Sequence, residues 1–208
     1  MICDNGLMRE LMPLGNKGSQ KIKEKVNERL KLLEKKENKY KDSFVILLLY
    51  PGYPPEEKKR ILRLKRKLVA RKWQNVFLME DFNTGVNLSD RFDFLLGEAG
   101  LSPDLIAAIF TQKGTKEGAS WELGFLWGSA LVTARSSINK DNYQRFISRV
   151  VIYTEKGVSK DGVCTKMLTN GAFKKIVTFT FENDNELLDL IESTAKRLLD
   201  YKHCLLGK

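Results

Sequence analysis

The sequence predicts an α/β domain in which a parallel five-stranded sheet is covered by helices. Five short apolar runs occur along the chain, and each is followed by a segment with helical periodicity. The first run, Phe44–Tyr50, is apolar throughout, as expected of a strand buried on both faces. Right-handed crossovers between such units give a three-layer, flavodoxin- or Rossmann-like domain, for which we expect the strand order 2-1-3-4-5.

The predicted elements alternate regularly. The strands are expected at Phe44–Tyr50, Val76–Met79, Leu105–Phe110, Arg149–Tyr153 and Ile176–Phe181. The first helix should begin at Pro54-Pro55-Glu56-Glu57, because proline and acidic side chains favour a helix N-terminus. Further helices are expected at Leu88–Ala99, Gly118–Ala134, Val163–Phe173 and Asp184–Tyr201.

The chain is expected to have two parts, an N-terminal segment of residues 1–42 and the α/β domain of residues 43–208. Residues 1–20 show no periodicity. From Lys21 to Tyr40, apolar residues recur every three to four positions on an otherwise charged segment. This pattern predicts an extra basic helix that packs on the domain or on a second chain.

The formal net charge of +10 is concentrated in two predicted helices. Lys21–Asp42 carries nine basic against five acidic residues, and Glu56–Lys72 carries nine against two. Association with nucleic acid is therefore one hypothesis. The second helix also has an apolar stripe and lacks interleaved aromatic residues, so a solvated charged face is the alternative. The lysine- and glutamate-rich composition fits a heat-adapted source.

Cysteine and histidine are too scarce for several kinds of chemistry. The three cysteines are far apart in sequence, and His203 is the single histidine. We therefore expect no disulfide framework, no metal site and no cofactor. No apolar run approaches the roughly 20 residues of a spanning helix, and no signal peptide is evident, so a soluble cytoplasmic protein is expected. Any catalysis should depend on carboxylates.

Sheet topology places the candidate site at the carboxyl ends of strands one and three. The turn after strand one contains Tyr50, Gly52 and Tyr53; it is either a plain turn or a surface that stacks on a base or sugar. The loop after strand three leads into a helix N-terminus, which can bind a phosphate or carboxylate. Its candidate ligand-binding residues are Lys113, Gly114, Lys116, Gly118 and Ser120.

Glu122 is the candidate catalytic residue. The residues three and four positions away from it on the helix are Gly118, Ala119, Phe125 and Leu126, so no local basic residue can pair with it. A carboxylate in such apolar surroundings needs hydrogen-bond donors, or its pKa rises. The alternative interpretation is an acidic residue that stabilises the helix dipole, as Glu117 would.

These motifs resemble those of the nucleoside 2-deoxyribosyltransferase-like superfamily, which includes the deoxynucleoside 5′-monophosphate N-glycosidases. The resemblance covers about residues 44 to 153. It depends on the Tyr50-Pro51-Gly52 turn, on Asp104 before strand three, and on the Gly118-Ala119-Ser120-Trp121-Glu122-Leu123-Gly124 segment. The last motif is the most specific of the three.

The resemblance implies a carboxylate nucleophile at Glu122 and a nucleoside or nucleotide as substrate. Ser120 and the amides near Gly118, with Lys113 or Lys116, would hold a 5′-phosphate. Tyr50 and Tyr53 would pack on a ring, and Asp90 or Asp93 would contact a sugar hydroxyl. A homodimer that shares the crevice would be expected.

Two features depart from the family's pattern. Thr111-Gln112 stands where a second carboxylate is usual, and the segment Arg135–Ser148 is longer than the usual return to strand four. Ser120-Trp121-Glu122 also resembles the approach to the NAD-cleaving glutamate of Toll/interleukin-receptor-like domains. A non-catalytic nucleotide- or NAD-binding sensor is therefore a further hypothesis beside the enzyme and the nucleic-acid-associated protein.

Overall fold

The computed structural model describes residues 40–82, 103–115, 148–158 and 176–206, together with 26–28, 31, 38, 123 and 124; side chains are described to residue 202. It divides into two units, residues 1–40 and residues 41–208. In the first unit, residues 26–28, 31, 38 and 40 are helical. All the elements named below belong to the second unit.

Five parallel strands form one sheet in the order β2-β1-β3-β4-β5. The strands are β1 (Val45–Leu49), β2 (Asn75–Leu78), β3 (Leu105–Phe110), β4 (Val150–Glu155) and β5 (Val177–Phe181). The predicted fold class and strand order are thereby confirmed. Predicted and observed ends differ by at most two residues, as is usual for element boundaries.

The central strands are buried on both faces. Ile46 and Leu48 of β1 point to one face and Leu47 and Leu49 to the other, and none of the four is exposed to solvent. All six residues of β3 are buried as well. The edge strand β5 differs, since most of its residues are exposed or half-buried. An apolar run without alternation therefore predicted a central strand correctly.

Helix α1 (Pro55–Ala70) follows β1 directly. Proline occupies its first turn, Glu56 and Glu57 favour its N-terminus, and Lys67 favours its C-terminus. Its buried positions are Glu57, Ile61, Leu64 and Leu68, which form one stripe at spacings of four, three and four residues. This stripe packs on the sheet face that contains Ile46 and Leu48.

Helix α2 (Asp184–Leu206) packs on the same sheet face as α1. Asn183 caps it, because its Oδ1 accepts hydrogen bonds from the amides of Asn185 and Glu186 at 3.1 and 3.0 Å. Polar contacts join the two helices. Lys67 donates to Asn185, and Arg71 donates to Asp189 and Glu192.

The other predicted helices, Leu88–Ala99, Gly118–Ala134 and Val163–Phe173, lie outside the described residues, except that Leu123 and Gly124 are helical. Among the described helices, none has both the length and the apolar character needed to cross a membrane.

Asp104, one of the residues on which the resemblance depends, lies at the amino edge of the sheet. Its Oδ2 accepts a hydrogen bond from the Val45 amide at 3.0 Å, and its Oδ1 accepts one from Lys202 at 2.7 Å. The Asp104 amide donates in turn to the Val45 carbonyl at 2.9 Å. The residue therefore fixes the start of β1 beside β3 and ties α2 to the sheet.

We expect Asp104→Ala to lower the free energy of unfolding by about 1–3 kcal/mol, because a strand amide loses its acceptor. Lys202→Ala should lower the free energy of unfolding by only about 0–1 kcal/mol, since the Lys202 side chain is partly solvated. Urea unfolding of both variants measures the difference. Equal losses in the two variants would mean that Asp104 stabilises the fold through its ion pair with Lys202 and not through the hydrogen bond from the Val45 amide.

Candidate functional site

The two loops predicted to form the site lie next to each other. Residues 50–54 follow β1 and residues 111–115 follow β3, and these strands are neighbours in the sheet. The Thr115 amide donates to the Tyr53 carbonyl at 2.9 Å. The Gly114 amide donates to Thr111 Oγ1 at 3.1 Å, which closes the second loop into a turn. The carboxyl edge between β1 and β3 thus has a defined backbone structure.

Gly114 lies close to Pro51 of the first loop. A Cβ atom at this position would lie 2.1 Å from Pro51 Cγ and 2.6 Å from Pro51 Cβ. The ring of proline cannot rotate away from such a contact, so the approach requires glycine. Gly52 in the first loop differs, because a Cβ added there meets nothing within 4 Å.

Tyr50 and Tyr53 have different surroundings. Tyr50 is buried, and its hydroxyl donates to Glu80 Oε1 at 2.7 Å, an oxygen that also pairs with Lys58 at 3.0 Å. Burial alone would raise the pKa of Glu80, but the hydrogen bonds from Tyr50 and Lys58 lower it below its ordinary value. Glu80 is therefore a charged acceptor. Tyr53 is 64% exposed and is available to a ligand.

Arg60 of α1 connects three elements at the same edge of the sheet. Its Nη2 and Nη1 donate to the two oxygens of Glu155, at the end of β4, at 2.9 and 3.2 Å. Its Nε donates to Asp184, the first residue of α2, at 2.5 Å. Glu57 Oε2 lies 3.5 Å from Nη1, and the guanidinium lies over the Phe181 ring. Such a bidentate pair is stronger than a single contact.

Glu155 also holds the loop that follows β3. Its Oε2 accepts a hydrogen bond from the Gln112 amide at 2.8 Å, and the Gln112 side chain donates to the Lys156 carbonyl. Burial would raise the pKa of Glu155, but the Arg60 guanidinium and the Gln112 amide lower it. For Arg60, burial acts to lower the pKa, yet the bonds to Glu155 and Asp184 raise it overall. Both groups are therefore charged.

A cleft of about 260 Å³ opens beside this cluster, on the sheet face that carries α1 and α2. Its walls contain three acidic residues, three basic residues and one amide: Glu57, Glu155 and Asp184; Arg60, Arg63 and Lys113; and Gln112. Within the described part of the chain, no group of three or more His, Cys, Asp or Glu residues could hold a metal ion.

The predicted site residues are thus only partly placed. Tyr50, Gly52, Tyr53, Lys113 and Gly114 all lie at the carboxyl edge, as the topology predicted. Lys113 lines the cleft beside Arg60. The residues Asp90, Asp93, Lys116, Gly118, Ser120 and Glu122 lie outside the described residues, so their roles stay predictions.

The sequence did not single out Arg60, Glu155 or Asp184. Arg60 is one of nine basic residues in Glu56–Lys72, so composition does not distinguish it. One signal was present: Glu57 stands four residues before Ile61 and so belongs to the apolar stripe of α1. An acidic residue at the end of a buried stripe indicates a nearby basic partner, and Arg60, three residues further on in the same helix, lies 3.5 Å from Glu57.

No protein-family model matches this chain, and no curated protein matches its sequence. The superfamily resemblance therefore stays a prediction from the motifs.

We expect Gly114→Ala to lower the free energy of unfolding by about 1–3 kcal/mol, because the methyl group overlaps the Pro51 ring. Gly52→Ala is the matched control and should change it by no more than about 1 kcal/mol, since space is open there. Thermal or urea unfolding measures both. Similar effects of the two variants would contradict the close approach at Gly114.

The Arg60–Glu155 pair should make stability sensitive to acid. Because the pKa of Glu155 is lower in the folded protein, its contribution is full at neutral pH and is lost as pH falls below the ordinary value of 4.5. The Glu155→Gln variant should be less stable than wild type at neutral pH, and its free energy of unfolding should fall less on acidification. Urea titrations at neutral and acidic pH test this, with Glu56→Gln, an exposed neighbour on α1, as control. A Glu155→Gln variant as acid-sensitive as wild type would contradict the assignment.

Proposed function

We propose that this protein cleaves the N-glycosidic bond of a nucleoside or nucleotide at the carboxyl edge of β1 and β3, with Glu122 as the nucleophile. The observation that carries the proposal is the joining of the two edge loops, through the Thr115 amide and the Tyr53 carbonyl. In sheets with this strand order, the crevice between these strands is where ligands bind.

The position of Glu122 in the chain supports its role. Leu123, the next residue, is helical and buried, and Gly114 and Thr111 form a turn directly after β3. In a parallel sheet, a helix that follows a strand begins near the carboxyl edge. The free amides of its first turn favour an anionic ligand there.

The proposed reaction proceeds in two steps. A Glu122 oxygen attacks the anomeric carbon as the bond to the base nitrogen breaks, and the bonding electrons leave with the base, which takes up a proton. This gives a covalent glycosyl-enzyme. Water then releases the sugar, or an acceptor base takes it and completes an exchange.

Substrate binding would use the remaining predicted residues. Ser120, the amides near Gly118 and the cation of Lys113 or Lys116 would hold a 5′-phosphate, while Asp90 or Asp93 would contact a sugar hydroxyl. Of the two lysines, Lys113 also lines the cleft beside Arg60. Exposed Tyr53 would pack on the base or sugar.

In this proposal Glu80, the partner of the Tyr50 hydroxyl, does not supply the proton for the leaving base, because it is a charged acceptor. In this proposal the proton comes from Glu117 or from a residue of the second subunit of a homodimer.

The basic helix α1 offers less support for nucleic-acid binding than its composition suggested. Lys58, Arg60, Lys65 and Arg71 each pair with an acidic side chain of the same domain. Cations that are already neutralised within the protein release fewer counterions from a phosphate backbone. Four of the nine cations in Glu56–Lys72 therefore join this segment to α2 and to the carboxyl edge of the sheet.

The test is release of free base from nucleosides, nucleoside 5′-monophosphates and NAD, followed by chromatography. Wild type should release base from at least one of them, and Glu122→Gln should lower the rate by at least about a hundredfold, because the nucleophile is removed. Glu117→Gln separates the two proton sources, since it slows release only if Glu117 supplies the proton.

Two outcomes would contradict the proposal. Base release unchanged in Glu122→Gln would mean that the carboxylate is not the nucleophile. No release from any compound, with nucleotide binding retained in a calorimetric titration, would identify a sensor and not an enzyme. Circular dichroism of each variant excludes loss of fold as the cause.

A further inference from the structure

The cleft beside Arg60 contains charges of both signs. The carboxylates of Glu57, Glu155 and Asp184 surround the single guanidinium of Arg60, which leaves an excess of negative charge around it. The basic residues Arg63 and Lys113 line the same cleft and are exposed. Among the described residues, neither basic side chain makes a hydrogen bond or a salt bridge, although the charge of Lys113 helps to lower the pKa of Glu155.

Glu57 has a buried oxygen that lacks a hydrogen bond. Its side chain is only 5% exposed, and its Oε2 accepts no hydrogen bond from any described residue. Arg60 Nη1 is 3.5 Å away, close enough for charge attraction, but it is not aligned as a donor and already bonds to Glu155. A buried carboxylate oxygen without a donor is costly, so this one is suited to a donor from a ligand.

From this geometry we infer that the cleft binds a small zwitterion, with an ammonium group toward Glu57 and an anionic group toward Lys113 and Arg63. The terminal torsion of a glutamate is broad, so the Glu57 carboxylate can turn toward the cleft at little cost. A volume of about 260 Å³ suits a compact metabolite and not a whole nucleotide.

Simpler ligands fit this charge pattern less well. An inorganic anion would meet the excess negative charge around Glu57, Glu155 and Asp184. A metal ion would compete with Arg60, which already uses both oxygens of Glu155. A ligand with both charges satisfies the two ends together, and the two contacts then act as one linked binding event. The inferred binding of a zwitterion does not rest on the proposed N-glycosidase reaction.

Phosphoethanolamine is the probe, since it carries an ammonium and a phosphate on a short chain. Calorimetric titration of the full chain should show binding, and ethanolamine or inorganic phosphate alone should bind at least about tenfold more weakly. Glu57→Gln should weaken the binding of phosphoethanolamine at least about tenfold, equivalent to about 1.4 kcal/mol, because a neutral amide can accept a hydrogen bond from the ammonium but adds no charge attraction.

Matched controls come from the same helix. Glu56→Gln and Lys59→Ala change exposed residues of α1 that do not line the cleft, and they should leave the affinity unchanged. Lys113→Ala and Arg63→Ala alter exposed side chains that do line it, and each should weaken binding. If Glu57→Gln does not fold, the test uses the Lys113→Ala/Arg63→Ala double variant, which should bind phosphoethanolamine more weakly than wild type.

The inference is overturned if phosphoethanolamine does not bind at concentrations up to about ten millimolar. It is equally overturned if the cleft variants and the control variants bind with the same affinity. Equal binding of inorganic phosphate and phosphoethanolamine would show an anion site without a role for Glu57.

Discussion

The arrangement of the carboxyl edge depends on one guanidinium group, that of Arg60. It joins the first helix to the end of β4 through Glu155 and to the start of α2 through Asp184. Glu155 then accepts the Gln112 amide and so fixes the loop after β3. Helix, strand end and loop are thus held in one hydrogen-bonded cluster, which supports the edge where the candidate site lies.

Such a cluster is stable only because the guanidinium of Arg60 and its acidic partners attract one another at close range. Removing a carboxylate and a guanidinium from water costs several kcal/mol each, and the cost is offset only by close, well-aligned contacts. The bidentate geometry of Arg60 and Glu155 provides such contacts, and Glu155 also accepts a hydrogen bond from the Gln112 amide. Glu57 is the exception, because its buried Oε2 has no hydrogen-bond donor among the described residues.

The burial of the central strands explains why the charged and polar side chains lie at the edges of the sheet. Because β1 and β3 are buried on both faces, their faces accommodate only apolar side chains. Charged groups therefore occur where strands end. Asp104 acts at the amino edge and is structural, whereas Tyr50, Lys113 and Glu155 lie at the carboxyl edge. The two edges thus differ in role although both carry acidic residues.

The sequence by itself determined the fold class and the strand order, because periodicity and turn residues are local properties of the chain, and it predicted the edge at which the site is proposed to lie. It also identified Gly114 and Tyr53 as neighbours of that edge. Only the tertiary structure decided which charges meet: Arg60 pairs with residues 95 and 124 positions away. One cation among the nine of Glu56–Lys72 has no local signature of its partner, since that choice depends on how the helix packs across the sheet.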